Sequence, residues 1–473
     1  VILHHNCLEN QRVAISNRVL GITPQCTPVG RTILTRAAQF LARHLPKTTQ
    51  EELGLFAYAY SGAKRTRYLD ATDRVIANGL TRKDSTISMF IKPDRMNPLE
   101  KVKPDPRPIQ FRDSRYCVVL ASYLKPIEPH LYSLKIPSIS PTRLVGKGCN
   151  QLRRARICHS KWTRFATPVA ISIDASRFDK HVNTALLQAE HLVYQLCNPD
   201  PDFARILRWQ LRNTCRSSLG LVYRTRGKRM SGDMNTALGN CIIMLIMVIA
   251  VLQPLNVSYD LFDDGDDCLV FCDLRHLTLV QGAIQTMAQF GMVIRVDSVA
   301  HQFENISWCQ SQPVLTYHGW KFVRNPYKVL SHTLCSMKWY HLNETGRLTF
   351  LRGLATCEAI LNKGVPVLQP FAEALLRVAG KGKVAFDVSS GEYFRYLREL
   401  QAVPLVDEFV PITTEARLSF SQAFGMDVST QMALEHDLAH WAFSVSGLAH
   451  DTPVCSYFDW SDQRSWFDGR QGF

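Results

Sequence analysis

The sequence predicts an α+β fold, with buried strands, two of them joined as a hairpin, interspersed with helices. Two observations carry that prediction. The apolar run Val169 to Ile173 (VAISI) reads as a buried strand ending at Asp174. Two further strand-like runs, Val257 to Phe262 and Cys268 to Cys272, flank Asp263-Asp264-Gly265-Asp266-Asp267, a hairpin signal because aspartate and glycine tolerate turn dihedrals. Between these strands lies the longest uninterrupted apolar run, Cys241 to Leu252, which reads as a buried helix ended by Pro254. It falls short of the ~18 residues that would suggest a membrane span.

At 473 residues the chain has room for about three domains of roughly 150 residues, or for one multi-lobed unit. Apolar residues make up 46% and charged residues 20%, which suits a substantial core and excludes a disordered chain. The balance of 55 Lys+Arg against 41 Asp+Glu leaves +14, favouring a polyanionic partner such as nucleic acid or an anionic surface. The 14 cysteines are scattered, and Cys268 and Cys272 come nearest to a close pair, so free and mostly buried thiols in a reducing compartment are expected. The chain opens VILHHNCLEN, with neither methionine nor signal peptide. It is therefore expected to be a processed product or a piece of something longer, with any membrane anchor left behind.

Taken in order, residues 1 to about 90 mix short polar breaks with amphipathic helical patterns such as Arg31 to Leu45. From Lys92 to Arg115 the chain is basic and interrupted by Pro93, Pro98, Pro104, Pro106 and Pro108, which prevents one regular helix. A second basic stretch, Arg143 to Arg164, surrounds Gly146 and Gly148. After the first strand, helical patterning runs from Lys180 to Leu196 and, past Asn198-Pro199-Asp200-Pro201, from Phe203 to Thr214. Arg216, Arg224, Arg226, Lys228 and Arg229 then lead into SGDMNTALGN and the apolar helix. Leu274 to Phe290 is helix-like. From His332 a short strand region and helices near Phe350 to Leu361 and Gln369 to Val378 suggest a separate C-terminal lobe. Gly380-Lys381-Gly382-Lys383 is not a phosphate loop, since it lacks the longer glycine spacing and the Ser or Thr after lysine. Trp441, Trp460, Trp466 and Phe467 read as packing this lobe onto the rest of the chain, or as extending into a binding channel, with core packing the plainer role.

If the strands are sheet neighbours, Asp174 and Asp266 converge at one edge and can bridge two divalent cations at the ~3.5–4 Å separation of phosphoryl-transfer sites. Oxygen-only ligands suit magnesium, which completes its shell with water and substrate phosphates. The plainer reading of the acidic turn is a solvent-facing loop or a calcium site, and Asp263 and Asp264 read as ordinary turn residues. An acidic knot between buried strands is nevertheless costly unless it is paired or metal-bound. Asp179, five positions past Asp174, lies where it can point back at the same cleft and accept a sugar hydroxyl, or simply cap the next helix. Ser231 and Gly232 open a loop before a helix, while Thr236 and Asn240, four apart, share a helix face. Asn240 can recognise a ribose hydroxyl jointly with Asp179, or be a packed structural amide.

The segments D174-A-S-R-F-D179, S231-G-D-M-N-T-A-L-G-N240 and G265-D-D267 resemble, in this order, palm motifs A, B and C of the RNA-dependent RNA polymerases of positive-strand RNA viruses. The detailed likeness is to the tombusvirus and carmovirus group (Tombusviridae). P106-R-P-I-Q110 and its preceding lysines resemble the basic fingers motif that admits nucleotides. W308-C-Q-S-Q-P-V314 resembles the primer-grip motif E, and HHNCLENQR the start of the polymerase region. The resemblance implies a closed right hand of fingers, palm (a central antiparallel sheet backed by helices) and thumb. It implies fingers at 1–165, palm motif A at 166–182, a fingers insertion at 183–223, palm motifs B to E at 224–326, and thumb with C-terminal segment at 327–473. Asp174, Asp266 and Asp267 would be catalytic and would ligate Mg2+, with Mn2+ substituting in vitro. Asp179, Ser231, Thr236 and Asn240 would select ribonucleotides, with Gly232 letting its loop move. Lys103 and Arg107 would contact the triphosphate, with Lys92 and Lys101 competing for that duty. Where the wider family uses a basic general acid in motif D, this chain offers Arg295, a poor proton donor at neutral pH.

The implied partners are single-stranded RNA template, nascent RNA and NTPs, together with an auxiliary viral replication protein and host factors. The implied setting is a membrane-associated replication complex in the host cytoplasm, with membrane targeting by a region absent from this chain. Initiation without a primer is expected. Two alternatives remain at this point. A reverse transcriptase shares the two-metal palm but is expected to carry a bulky residue that excludes the 2′-hydroxyl. A non-catalytic RNA-binding replication protein predicts lost metal ligands, whereas Asp174, Asp266 and Asp267 are all present.

Overall fold

A helix that is apolar on every side must be surrounded by other elements. From Leu238 to Leu252 of helix Thr236–Leu252, Ala250 alone escapes full burial. In the computed structural model, which describes residues 2–93, 95–96, 104–336, 339, 341–387, 391–400 and 409–446, this helix packs against helices Pro28–Ala42 and Thr184–Cys197. A short 3-10 turn containing Pro254, Gln253–Leu255, ends it. Thr236–Leu255 is long and apolar enough to cross a membrane, with mean hydropathy 2.3, but 78% of that stretch is buried inside the protein. It is a core helix.

The strands in chain order are β1 (Ile2–Leu3), β2 (Ile87–Ile91), β3 (Arg95–Met96), β4 (Pro108–Arg112), β5 (Pro168–Ala175), β6 (Arg212–Ser217), β7 (Val222–Arg226), β8 (Tyr259–Asp263), β9 (Asp267–Asp273), β10 (Ile294–Ala300), β11 (Ser311–Thr316) and β12 (Gly319–Arg324). The central sheet has the order β10-β5-β9-β8, with every neighbour antiparallel. Its inner strands read as nearly continuous apolar runs because both faces are covered. Val169, Ile171, Ile173, Cys268, Val270 and Cys272 join the core of the apolar helix. The alternate residues Ala170, Leu269 and Phe271, with Phe262, pack towards Ala155 and Cys158 of helix Gln151–Trp162 and towards Trp308 and Phe322. Beyond β8, Val145 makes a parallel bridge to Asp263, supported by Gly146 N–H to Asp263 O at 2.7 Å and Asp263 N–H to Leu144 O at 2.8 Å. At the other edge, the pairing of β10 with β5 shifts register between Val296 and Ser298.

A second sheet, β4-β2-β6-β7, pairs β2 with β6 in parallel and its other neighbours antiparallel. Its buried face sets Ile87, Met89, Ile91, Cys215 and Tyr223 against Ala14, Ile15 and Val19. The hairpin β11–β12 joins two cores, giving Phe322 to the one beneath the central sheet and Val314 and Val323 to a C-terminal one. That C-terminal core gathers Trp339, Phe350, Leu351, Phe371 and Phe420, largely from helices Glu344–Leu361, Leu368–Ala379 and Thr414–Phe424. The architecture is mixed α and β, and the described cysteines are mostly buried.

Several expectations need correction. The helix expected over Phe203 to Thr214 is Pro201–Arg208, and the arginine-rich stretch after it folds into β6 and β7. The helix expected from Lys180 to Leu196 is divided into Phe178–His181 and Thr184–Cys197. The break falls at Asn183, whose Oδ1 accepts from the N–H of Ala185 and Leu186 at 3.0 and 3.1 Å and caps the second piece. Leu274 to Phe290 is α-helical over Leu277–Gln285, with 3-10 turns on either side. No strand follows His332 among the described residues; the strands of this region, β11 and β12, precede helix Pro326–His332. Trp441 stacks on Phe371 at 6.1 Å in the C-terminal core, whereas Trp460, Trp466 and Phe467 lie outside the described residues.

Candidate active site

Register brings the first carboxylates together. Asp174, at the end of β5, is the Cα partner of Asp267, the first residue of β9. Residues directly opposite in an antiparallel pair share a face, so both lie on the side of Trp308 and helix Gln151–Trp162. Asp266 is exposed in the turn immediately before. Burial, and then the neighbouring charges of Asp266, Asp264 and Asp174, push the Asp267 carboxyl up to about 7. The turn is seated by Gly265 at φ +101°, where a side chain would be strained and a Cβ would lie 3.2 Å from Asn240 Cβ. On its other flank, Arg295 of β10 is the Cα partner of Asp174.

Asp179 lies near this turn, held by a hydrogen bond from Arg229 N–H to its carbonyl at 3.0 Å. The chain leaves β5 through Arg177 at φ +49°, and Asp179 lies in the short helix Phe178–His181 that follows. Burial raises the Asp179 carboxyl to about 6; Arg229 opposes this, Asp266 adds to it, and Arg107 and a hydrogen bond from Asn240 oppose it further. Those influences put Asp179, Asn240, Asp266 and Arg107 in one neighbourhood. Asn240 is on the second turn of helix Thr236–Leu252, and its Oδ1 accepts from Arg229 Nε at 2.8 Å.

The loop before that helix is tied to β4. Ser231 Oγ accepts from Gln110 N–H at 3.2 Å and donates to Pro108 O at 3.3 Å, while Gly232 N–H donates to Gln110 O at 2.7 Å. A Cβ at Gly232 would stand 2.7 Å from Phe111 Cβ and 2.8 Å from Gln110 O, so close approach is the physical requirement for glycine here. Thr236 Oγ1 donates to Met230 O at 2.7 Å and closes the loop rather than facing the cleft freely. Arg107 is exposed, and its carbonyl accepts from Lys92 N–H at 2.8 Å. Lys101 and Lys103 lie outside the described residues.

Asp263 and Asp264 are not the ordinary turn residues expected. Asp263 is fully buried; burial raises its carboxyl well above the carboxylate range, and it accepts from Gly265 N–H at 3.0 Å. Burial works against the charge of Asp264, but Arg154 and Lys147 hold its carboxyl below the usual range, at 2.8 and 2.7 Å. Cys309 Sγ also donates to it at 3.3 Å. Cys309 and Gln310 both have positive φ, at 50° and 57°, in the tight turn between Trp308 and Ser311, and Trp308 Nε1 donates to Asp267 O at 3.2 Å. Sequence reasoning also missed Glu190, which is fully buried and paired with Arg229. The available signal was an acid on the apolar face of a helical pattern.

Among the described residues, no group of three or more His, Cys, Asp or Glu side chains forms a cage for a metal ion. Magnesium does not require one, since it keeps several waters and takes one or two carboxylates with substrate phosphates. Burial, with the neighbouring carboxylates of Asp266, Asp264 and Asp174, lifts Asp267 to about 7, and a cation among these oxygen donors would relieve their mutual repulsion. The residues present fit a hard divalent cation.

The sequence matches the family described as viral RNA dependent RNA polymerase over residues 1–446. The RNA-directed RNA polymerase of Groundnut rosette virus (strain MC1) is 36% identical over 445 residues, covering 92% of this chain and 52% of the relative. That of Tobacco necrosis virus (strain A) is 33% identical over 458 residues, covering 92% and 61%. That of Turnip crinkle virus is 31% identical over 456 residues, covering 92% and 57%. The chain therefore spans 52–61% of the length of these curated relatives. The family match runs through every strand of the central sheet and both sides of the carboxylate cleft, and the chain belongs to the viral RNA-dependent RNA polymerases.

Proposed function

We propose that the chain is the polymerising unit of a viral replicase, which joins ribonucleotides on an RNA template and releases pyrophosphate. The observation that carries this reading is the register pairing of Asp174 with Asp267, with Asp266 in the adjoining turn, in a chain of this family. On this reading 166–182 and 224–326 are the palm, 1–165 and 183–223 the fingers, and 327–473 the thumb and C-terminal segment. The parallel pairing of β2 with β6, one strand from each finger segment, supports that grouping.

Asp174 and Asp266, with Asp267 in support, would hold magnesium or, in vitro, manganese. When bound, the metal lowers the pKa of the attacking hydroxyl and neutralises charge on the phosphates. The side chains do the rest. Asp179 accepts a hydrogen bond from the ribose 2′-hydroxyl, Asn240 orients it, and Ser231, Gly232 and Thr236 shape the wall beside them. Arg107, with Lys103, draws in the triphosphate. Arg295, opposite Asp174, acts as a charge partner, because arginine is a poor proton donor. The +14 balance favours template and nascent RNA through counterion release. We place the chain in a membrane-associated cytoplasmic complex with an auxiliary viral protein and host factors, starting synthesis without a primer. Thr236–Leu255 is a core helix and would not serve as the membrane attachment.

The test is incorporation of labelled NTPs on a short single-stranded RNA, without primer and with magnesium or manganese, by the native chain and Asp266→Ala in parallel. The expected result is template-length product from the native chain and a loss on the order of 10³-fold or more in the variant. Equal product from both sinks the metal-site assignment, and incorporation of dNTPs in preference to NTPs points to a reverse transcriptase instead.

A further inference from the structure

Beneath Asp179 and Asn240 lies a buried polar cluster more heavily braced than packing requires. Arg229 is 1% exposed. Its Nη2 forms an ion pair with Glu190, and its Nε donates to Asn240 Oδ1 at 2.8 Å. Glu190 Oε1 accepts from Asn235 Nδ2 at 2.8 Å and from Tyr194 Oη at 2.9 Å, and Asn235 Oδ1 accepts in turn from Gln210 Nε2 at 2.9 Å. The backbone adds another tie, since Arg229 N–H donates to Asp179 O at 3.0 Å. The helix makes room for this brace with Gly239, where a Cβ would fall 2.2 Å from Glu190 Oε1 and 2.6 Å from Arg229 Nη2.

The chemistry of the amide gives the cluster a consequence. The two ends of an asparagine side chain differ, one accepting and the other donating. A guanidinium has no acceptor, so Arg229 fixes the Oδ1 end of Asn240 and turns its NH2 end away from itself, while the Arg229 backbone N–H holds the neighbouring Asp179 by its carbonyl. A buried ion pair is weak evidence for stability by itself, because apolar residues of similar volume often serve as well. Orientation is what this pair supplies.

We propose that Arg229, braced by Glu190, is a positioning residue for ribose selection, holding the Asn240 amide in one orientation and through it aligning the Asp179 carboxylate on the nucleotide 2′-hydroxyl. The inference rests on the reading of Asp179 as the sugar-contacting residue. It predicts that the brace affects discrimination between NTP and 2′-dNTP more than it affects folding. Arg229→Lys replaces the rigid planar fork, which holds Glu190 and Asn240 on two fixed nitrogens, by a single rotatable ammonium that cannot reproduce that geometry. Glu190→Asp keeps the charge pair but withdraws the carboxylate by one methylene.

The experiment measures single-nucleotide incorporation of NTP and matching 2′-dNTP, with thermal midpoints recorded for every protein. The native chain is compared with Arg229→Lys, Glu190→Asp and Asp179→Asn. The ratio of kcat/KM for NTP over dNTP is expected to fall about tenfold in Arg229→Lys, the loss of one charge-assisted hydrogen bond, and by a smaller factor in Glu190→Asp. An unchanged ratio in either brace variant that folds, with the ratio lost in Asp179→Asn, overturns the inference and leaves Asp179 as the sugar contact. An unchanged ratio in Asp179→Asn overturns the reading on which it rests.

Discussion

Two carboxylate clusters on one face of the central sheet are treated in opposite ways. Asp260, in β8, is fully buried and carries its own counter-charges: Lys161 Nζ lies 2.8 Å from Oδ1, Arg164 pairs with Oδ2, and Ser140 Oγ donates to Oδ2 at 2.9 Å. Asp267, at the start of β9, is pushed up to about 7 by burial and by the charges of Asp266, Asp264 and Asp174. A buried charge persists when it is paired and hydrogen-bonded. The Asp260 cluster meets that condition alone and is part of the scaffold. The Asp267 cluster sets acid against acid, an arrangement that a bound cation would relieve. Between them, Asp264 shows how locally the distinction is drawn, since Lys147 and Arg154 neutralise it within three residues of Asp267.

The sharpest way to break this comparison is to remove the Asp260 counter-charge. Lys161→Met leaves the carboxylate buried with an incomplete set of partners and should lower unfolding stability by about 3–5 kcal/mol, read from the urea midpoint. An unchanged midpoint would mean that Asp260 is no more structural than Asp267.

A neutral buried group extends the comparison to pH. Burial lowers the His191 imidazole to about 4, with Gln210 Oε1 at 3.1 Å from its Nε2. The folded state then binds this proton less readily than the unfolded chain, whose histidine titrates near 6.5. Stability from this group is complete above about 6.5 and falls as the pH drops towards 4, by at most about 3 kcal/mol. His191→Gln should flatten that slope in unfolding curves taken from pH 4 to 7, and a slope that survives the substitution assigns it to another group.

The smallest effect lies in the acidic cluster itself. Asp267→Asn relieves repulsion and should raise unfolding stability by about 1 kcal/mol in EDTA, while, on the proposed metal site, reducing any further stabilisation by added magnesium. A fall in stability of the Asp260 kind would erase the contrast.

The parts of the fold legible in the sequence are those whose burial is written in apolar residues. VAISI, the Cys268–Cys272 run and the long apolar helix stand where periodicity puts them, and their ends locate Asp174 and Asp267. β6 was illegible because its alternation is carried by polar side chains: in RNTCRS the buried positions are Asn213, Cys215 and Ser217, and arginines occupy two of the exposed ones. β11 was masked by Pro313, which sits mid-strand opposite Phe322 in a two-stranded ribbon where a missing donor is tolerated. At the site, carboxylates beside strand ends could be picked out from local context. Their partners could not: Lys147 and Arg154 reach Asp264 from more than a hundred residues away, and Glu190 on helix Thr184–Cys197 meets Arg229 in the loop after β7, so only tertiary packing reveals which acids are already neutralised.

The two borders of the central sheet bear on how the protein behaves when crowded. An uncovered outer strand offers a row of free amides and carbonyls on which another copy can grow, the first step towards fibrillar aggregates. Here every residue of β8 is buried and residues 144–146 pair with its last residue, Asp263, while the β10 border is interrupted by the irregularity at Val296 and Ser298 and carries the charges of Arg295 and Asp297. Neither offers a straight, uncharged template, so the sheet is protected against edge-to-edge growth even where many copies gather in a small volume.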